Sequence, residues 1–108
     1  MAQFDVYRSP ARSRATVPFV VDIQSRRFDS LPTRVVIPLM AFRAQPGDEG
    51  LSLTPELHVN GRLVFLNPLE VQTLRRSLLG KPVASLADDA SSGAIINAID
   101  SMISRAYG

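Results

Sequence analysis

The chain has 108 residues, which suits one domain spanning 1–108 with a modest core. Apolar residues make up 45% of it, too many for a disordered chain, while the absence of cysteine excludes disulfides, thiolate metal sites and cysteine nucleophiles. The net charge is only +2, and no apolar run approaches the roughly 18 residues of a membrane span.

Taken in order, Phe4 and Val6 point the same way in a short first strand, and Arg8–Arg14 follows as a polar loop. Pro10 and Pro18 lack the N–H that a ladder needs and mark its edges. Phe19–Gln24 alternates, with Phe19, Val21 and Ile23 on one face and Val20, Asp22 and Gln24 on the other, the period of a half-buried strand. Residues 25–33 connect it to a third strand, Arg34–Leu39, which has room to continue toward Arg43. Gln45–Gly50, with two glycines and a proline, reads as a loop. Leu57–Val64 carries Asn60-Gly61 at its centre, the pair a type I′ hairpin turn requires. Leu69–Leu79 is ambiguous, because Val71, Leu74 and Leu78 have helical spacing within an otherwise strand-rich chain.

The last segment predicts a helix. Asp88, Asp89, Ser91 and Ser92 all offer N-cap oxygens, and Ile95, Ile96, Ile99, Met102 and Ile103 recur as an apolar stripe. Several short strands, tight turns and one terminal helix give a mostly β fold, a small antiparallel sheet or partly open barrel packed by the helix.

Charge is uneven along the chain. Residues 1–43 carry seven arginines against three acids, whereas residues 44–108 are net acidic. Eleven of the 12 basic groups are arginine, suited to bidentate pairing with carboxylates or phosphates. On charge alone these arginines read as a solvated surface or as a nucleic-acid patch.

Residue chemistry narrows the function. His58 is the only histidine and sits on a predicted hairpin strand as a cross-strand neighbour, so clustered zinc ligands are lacking and no metal or other cofactor is expected. No serine has a histidine in a recognisable local motif, and the Gln45–Gly50 glycines lack the lysine of a phosphate loop. Asp22 has two readings: an ion pair with Arg34 across the sheet, or a general base working with cations among Arg8, Arg12, Arg14, Arg26 and Arg27.

Four separated segments, Gln3 to Tyr7 (QF-x-VY), Phe19 to Ser25 (FVVDIQS), Arg34 to Leu39 (RVVIPL) and Asn97 to Ile99 (NAI), together resemble the CcdB family, the toxins of bacterial type II toxin–antitoxin pairs. The resemblance implies an SH3-like, partly open antiparallel barrel with a C-terminal helix, shared with the MazF/Kid toxins, and extended structure over Leu69–Leu79. It also implies a twofold homodimer with its terminal helices near the symmetry axis, acting in the bacterial cytoplasm and often serving plasmid maintenance. Such toxins are non-enzymatic inhibitors of a type II topoisomerase, engaging the DNA gyrase A subunit through the helix end. They are neutralised by a cognate CcdA-like antitoxin, through which alone they reach operator DNA.

Carried over by position, the target contact falls on Asp100, Ser104, Arg105, Ala106, Tyr107 and Gly108, and a surface shared by target and antitoxin on Gln3, Phe4, Tyr7, Ser25, Arg27 and Phe28. Gyrase poisons of the family typically finish Trp-Gly-Ile, whereas this chain finishes Ser-Arg-Ala-Tyr-Gly. Counting without gaps loses the aromatic; a short insertion aligns Tyr107-Gly108 with Trp-Gly and omits the isoleucine. Three functions therefore stay open: a gyrase-directed toxin, a CcdB-fold homologue with altered or lost activity, and a MazF-like endoribonuclease.

Overall fold

The computed structural model describes residues 1–10, 14–42 and 54–104. Seven strands and one helix are found among them: β1 (Asp5–Arg8), β2 (Phe19–Asp22), β3 (Thr33–Met40), β4 (Glu56–Val59), β5 (Arg62–Leu66), β6 (Gln72–Arg75), β7 (Ala84–Ser85) and α1 (Asp89–Ile103). Single 3₁₀ turns occupy Arg26–Phe28, Pro68–Glu70 and Arg76–Leu78.

All pairings are antiparallel, in the order β4-β5-β3-β2-β1-β7. The eight-residue β3 is the spine. One edge pairs β2 from Phe19↔Leu39 to Asp22↔Val36. The other edge is shared, with β6 on Thr33–Val36 and β5 on Leu39–Met40. Two strands on one edge force the sheet to curl, and the Asn60 side-chain amide donates to the Val83 carbonyl (3.2 Å), tying the β4–β5 turn to the approach of β7. The result is a nearly closed antiparallel barrel with a C-terminal helix, as the resemblance implied.

The expected alternation of β2 holds residue by residue, but the strand is buried on both faces rather than one. Val21 joins Val6, Ile37, Leu39, Leu57, Val59, Val64 and Leu66 in the main core, which α1 closes with Ile95 and Ala98. Val20 faces the opposite way, into a second cluster with Tyr7, Val36 and Leu79. Covering the second face requires β6 and its flanking turns, a long-range arrangement that a period-two pattern does not reveal.

Asn60 (φ 52) and Gly61 (φ 82) both adopt the left-handed region, confirming the type of turn expected between β4 and β5. Phe4 also has positive φ (72), unusual for an aromatic residue and costing on the order of 1–2 kcal/mol. Its N–H donates to the Asp22 carbonyl (2.6 Å), its carbonyl accepts from Leu86 (2.8 Å), and its ring is buried in the main core. The backbone twist thus lets the chain start on β2 and continue onto the β7 segment.

Leu69–Leu79 is neither the helix its spacing allowed nor continuous strand; it is two 3₁₀ turns around the four residues of β6. Arg43 and the Gln45–Gly50 loop lie outside the described residues.

Candidate functional site

The connection between β2 and β3 is built by the polar residues of the FVVDIQS segment. The Asp22 carboxylate accepts from the Gln24 N–H (2.9 Å) through Oδ1 and from Arg34 Nε (2.7 Å) through Oδ2. Gln24 then spans the gap where strand pairing ends: its Oε1 accepts from the Val35 N–H (2.9 Å) and its Nε2 donates to the Phe28 carbonyl (2.8 Å). Ser25 caps the first 3₁₀ turn, its hydroxyl accepting from the Arg27 N–H (3.3 Å). Each motif residue therefore satisfies backbone groups that a tight connection would otherwise strand.

Arg34 is the hub. It is fully buried and pairs with two acids, Asp22 inside and the half-buried Asp29 at the surface (2.8 Å). Burial pulls its pKa down, but the hydrogen bonds it donates to both carboxylates, with their charges, outweigh this and leave it above the ordinary value. The same bond from Arg34 holds the Asp29 carboxyl below its usual range. Arg76 adds a second clamp, its Nη2 donating to the Asp29 carbonyl. This turn consequently presents Arg26, Arg27, Phe28 and Leu31 outward on a fixed frame, with Phe28 52% and Leu31 45% exposed.

The pairing of Asp22 with Arg34 resolves the two readings of that acid. A carboxylate with no accessible surface, engaged at both oxygens, does not reach a phosphodiester in solvent. Arg8, Arg14, Arg26 and Arg27 are exposed elsewhere, and Arg12 lies outside the described residues. His58 is exposed opposite Leu63, the cross-strand position expected for it. No cluster of three potential metal ligands forms among the described residues.

Of the other residues carried over from the resemblance, Gln3 is exposed and its side-chain amide donates to the Ile23 carbonyl (3.1 Å). Phe4 and Tyr7 are core residues, so their side chains act on any surface only through what they support. The Tyr7 hydroxyl is buried without a hydrogen-bond partner among the described residues. Burial first, then the fields of Asp5 and Asp22, push its pKa up to about 12.

The second region is the end of α1. Asp88 caps its start, its carboxylate accepting from the Ser91 N–H (2.9 Å), which also lowers the pKa of that acid. The expected apolar stripe divides into two rows. Ile95 and Ala98 point into the core, whereas Ile96 (49%) and Ile103 (67%) face outward with the exposed Asp100 between them. Ser104 ends the helix, its N–H donating to the Asp100 carbonyl (2.8 Å). Arg105, Ala106, Tyr107 and Gly108 lie outside the described residues. No helix among the described residues is long and apolar enough to cross a membrane.

The architecture is a small curled SH3-like barrel with a C-terminal helix, which buries its polar hub and leaves a turn and a helix end outward. The family model described as CcdB protein matches residues 3–104, and the chain therefore belongs to the CcdB family, the gyrase-poison toxins of toxin–antitoxin systems. Comparison with curated proteins gives no match.

Proposed function

We propose that this chain is a single-domain, non-enzymatic toxin that works in the bacterial cytoplasm as a homodimer, binds the A subunit of DNA gyrase through the end of α1, and is neutralised by a cognate antitoxin. The observation that carries the reading is the outward row of α1. Ile96 and Ile103 are seven residues apart, two helical turns, and both are largely exposed on a helix whose other face is core. Isolated surface leucines or isoleucines are ordinary, but two exposed isoleucines on one helix face, flanking Asp100 toward the helix terminus, are suited to burial against another chain. Family membership supplies the direction: a toxin of this kind captures one conformation of the topoisomerase by binding it better than the others, which needs no catalytic residues.

Residues Asp100 and Ser104 at the helix end and Tyr107-Gly108 beyond it form the proposed target contact, with Ser25, Arg27 and Phe28 on the β2–β3 turn as a contact for target and antitoxin. Purified protein is expected to inhibit gyrase supercoiling and to accumulate cleaved DNA. Deletion of Tyr107-Gly108 should abolish both effects; unchanged potency would remove the helix tip from the mechanism. The ending without Trp-Gly-Ile supports a second reading, a homologue whose gyrase contact has changed. Expression without growth arrest, with folded protein present, would favour that one.

A further inference from the structure

Two side-chain atoms are buried without a hydrogen-bond partner among the described residues, the Tyr7 hydroxyl and Arg34 Nη2. Sheet register puts both on the same side of three neighbouring strands. Tyr7 faces Val20 across β1 and β2, and both join Val36 in the second core cluster. Asp22 lies two residues beyond Val20 and faces Val36 across β2 and β3, so its side chain projects to that side too. Arg34 lies two residues before Val36 on β3 and meets the Asp22 carboxylate through Nε (2.7 Å). Tyr7, Asp22 and Arg34 thus form a diagonal across β1, β2 and β3, with one buried carboxylate between the two unpartnered groups.

The chemistry of these groups defines what lies between them. A guanidinium holds five N–H donors in one plane. Arg34 uses Nε on Asp22 and Nη1 on Asp29 (2.8 Å), which leaves the donors of Nη2, the group that shares a fork with Nε. The Tyr7 hydroxyl feels the charges of Asp22 and Arg34 and stays protonated, its pKa pushed up to about 12 chiefly by burial. It is therefore a donor as well. The Asp22 oxygens each accept one bond, from the Gln24 N–H and from Arg34 Nε, and each has a second lone pair to offer. Two buried donors and a carboxylate with capacity to spare suit a small neutral molecule that has two lone pairs and protons of its own. An ion does not fit: an anion would lie against Asp22 and a cation against the guanidinium.

We propose that one internal water molecule sits in this position, accepting from Arg34 Nη2 and the Tyr7 hydroxyl and donating to the Asp22 carboxylate. About three hydrogen bonds are the usual complement of a buried water, and a buried donor left unpaired costs its desolvation. The water ties β1 to the hub that clamps the β2–β3 turn, so the turn is anchored through three strands. A rival partner for the phenol exists. Asp5 lies two residues from Tyr7 on the same side of β1, and its Oδ2 already accepts from the Ala2 N–H (3.0 Å). A direct Tyr7–Asp5 bond would satisfy the hydroxyl but leave Arg34 Nη2 buried and unpaired.

Water-directed NOE spectroscopy on isotope-labelled protein, with magnetic relaxation dispersion of the solvent to follow long-lived waters, tests the proposal. Cross-peaks of the sign given by a bound, slowly exchanging water are expected at the Arg34 Nη2 protons and at the Tyr7 ring. Tyr7→Phe removes one of the three partners and should shorten the residence of that water about fivefold or more. Asp5→Asn should leave the Arg34 cross-peak unchanged. Absence of either cross-peak in the parent protein would overturn the proposal, even if Tyr7→Phe failed to fold. So would an unaltered residence time in Tyr7→Phe, or loss of the Arg34 cross-peak in Asp5→Asn, since the water would then be held by other groups.

Discussion

Arg34 shows how one side chain can join the core to the surface. Its guanidinium is held in low dielectric by Asp22 and reaches out to Asp29, so the β2–β3 turn is fixed to the sheet by charge-assisted hydrogen bonds. A buried ion pair is not a large net source of stability, because desolvation offsets its attraction, but stranding one partner is costly. Arg34→Met is therefore expected to destabilise the protein by about 3–5 kcal/mol in denaturant unfolding. Asp22→Asn added to it removes the stranded charge and keeps an acceptor for the Gln24 N–H, and should recover more than half of that loss. A double variant as unstable as the single would place the cost in packing instead. The pairing was legible in advance as one of two readings of Asp22, since an acid and an arginine sat on adjacent predicted strands; the register sets them diagonally, with Asp22 facing Val36. The part played by Gln24 was not: nothing in a single sequence says that an amide will stand in for a missing strand bond on both sides of a gap.

Elements specified by local chemistry were read well, and those specified by distant contacts were not. Asn60-Gly61 fixes its hairpin through backbone conformation alone, and four residues around Asp88 announced the start of α1. By contrast, β7 has two residues and exists because β1 offers an open edge, and the helical spacing of Val71, Leu74 and Leu78 comes from 3₁₀ turns on either side of a short strand. The isoleucine stripe of α1 was visible, but its division into inward and outward rows depends on where the barrel lies. The cap makes a pH-dependent prediction. The Asp88 carboxyl has a lowered pKa in the folded protein, so its contribution is present above the ordinary carboxylate range and lost as pH falls through the folded value. Asp88→Ala should lower Tm near neutral pH, and the gap from the parent protein should narrow on acidification. A gap that stays constant down to about pH 2 would show that the carboxylate charge is irrelevant to the cap.

Taken together, the sheet leaves two outward features on a hydrogen-bonded frame, the clamped turn carrying Arg27 and Phe28 and the isoleucine pair that flanks Asp100 toward the end of α1. Fold and family were both legible in the sequence, because four separated segments coincide with strands, a polar connection and the helix that the barrel requires. Less legible was the target surface: the carried-over positions mix exposed residues with the core residues Phe4 and Tyr7, and the helix tip extends past the described residues. Recognition of a topoisomerase, with no bond-breaking by the toxin itself, is the proposed output of this frame. Sedimentation of the purified chain, alone and mixed with the isolated gyrase A subunit, is the decisive experiment. A dimer that co-sediments with the subunit is expected; a monomer that leaves the sedimentation of gyrase A unchanged would overturn the proposal.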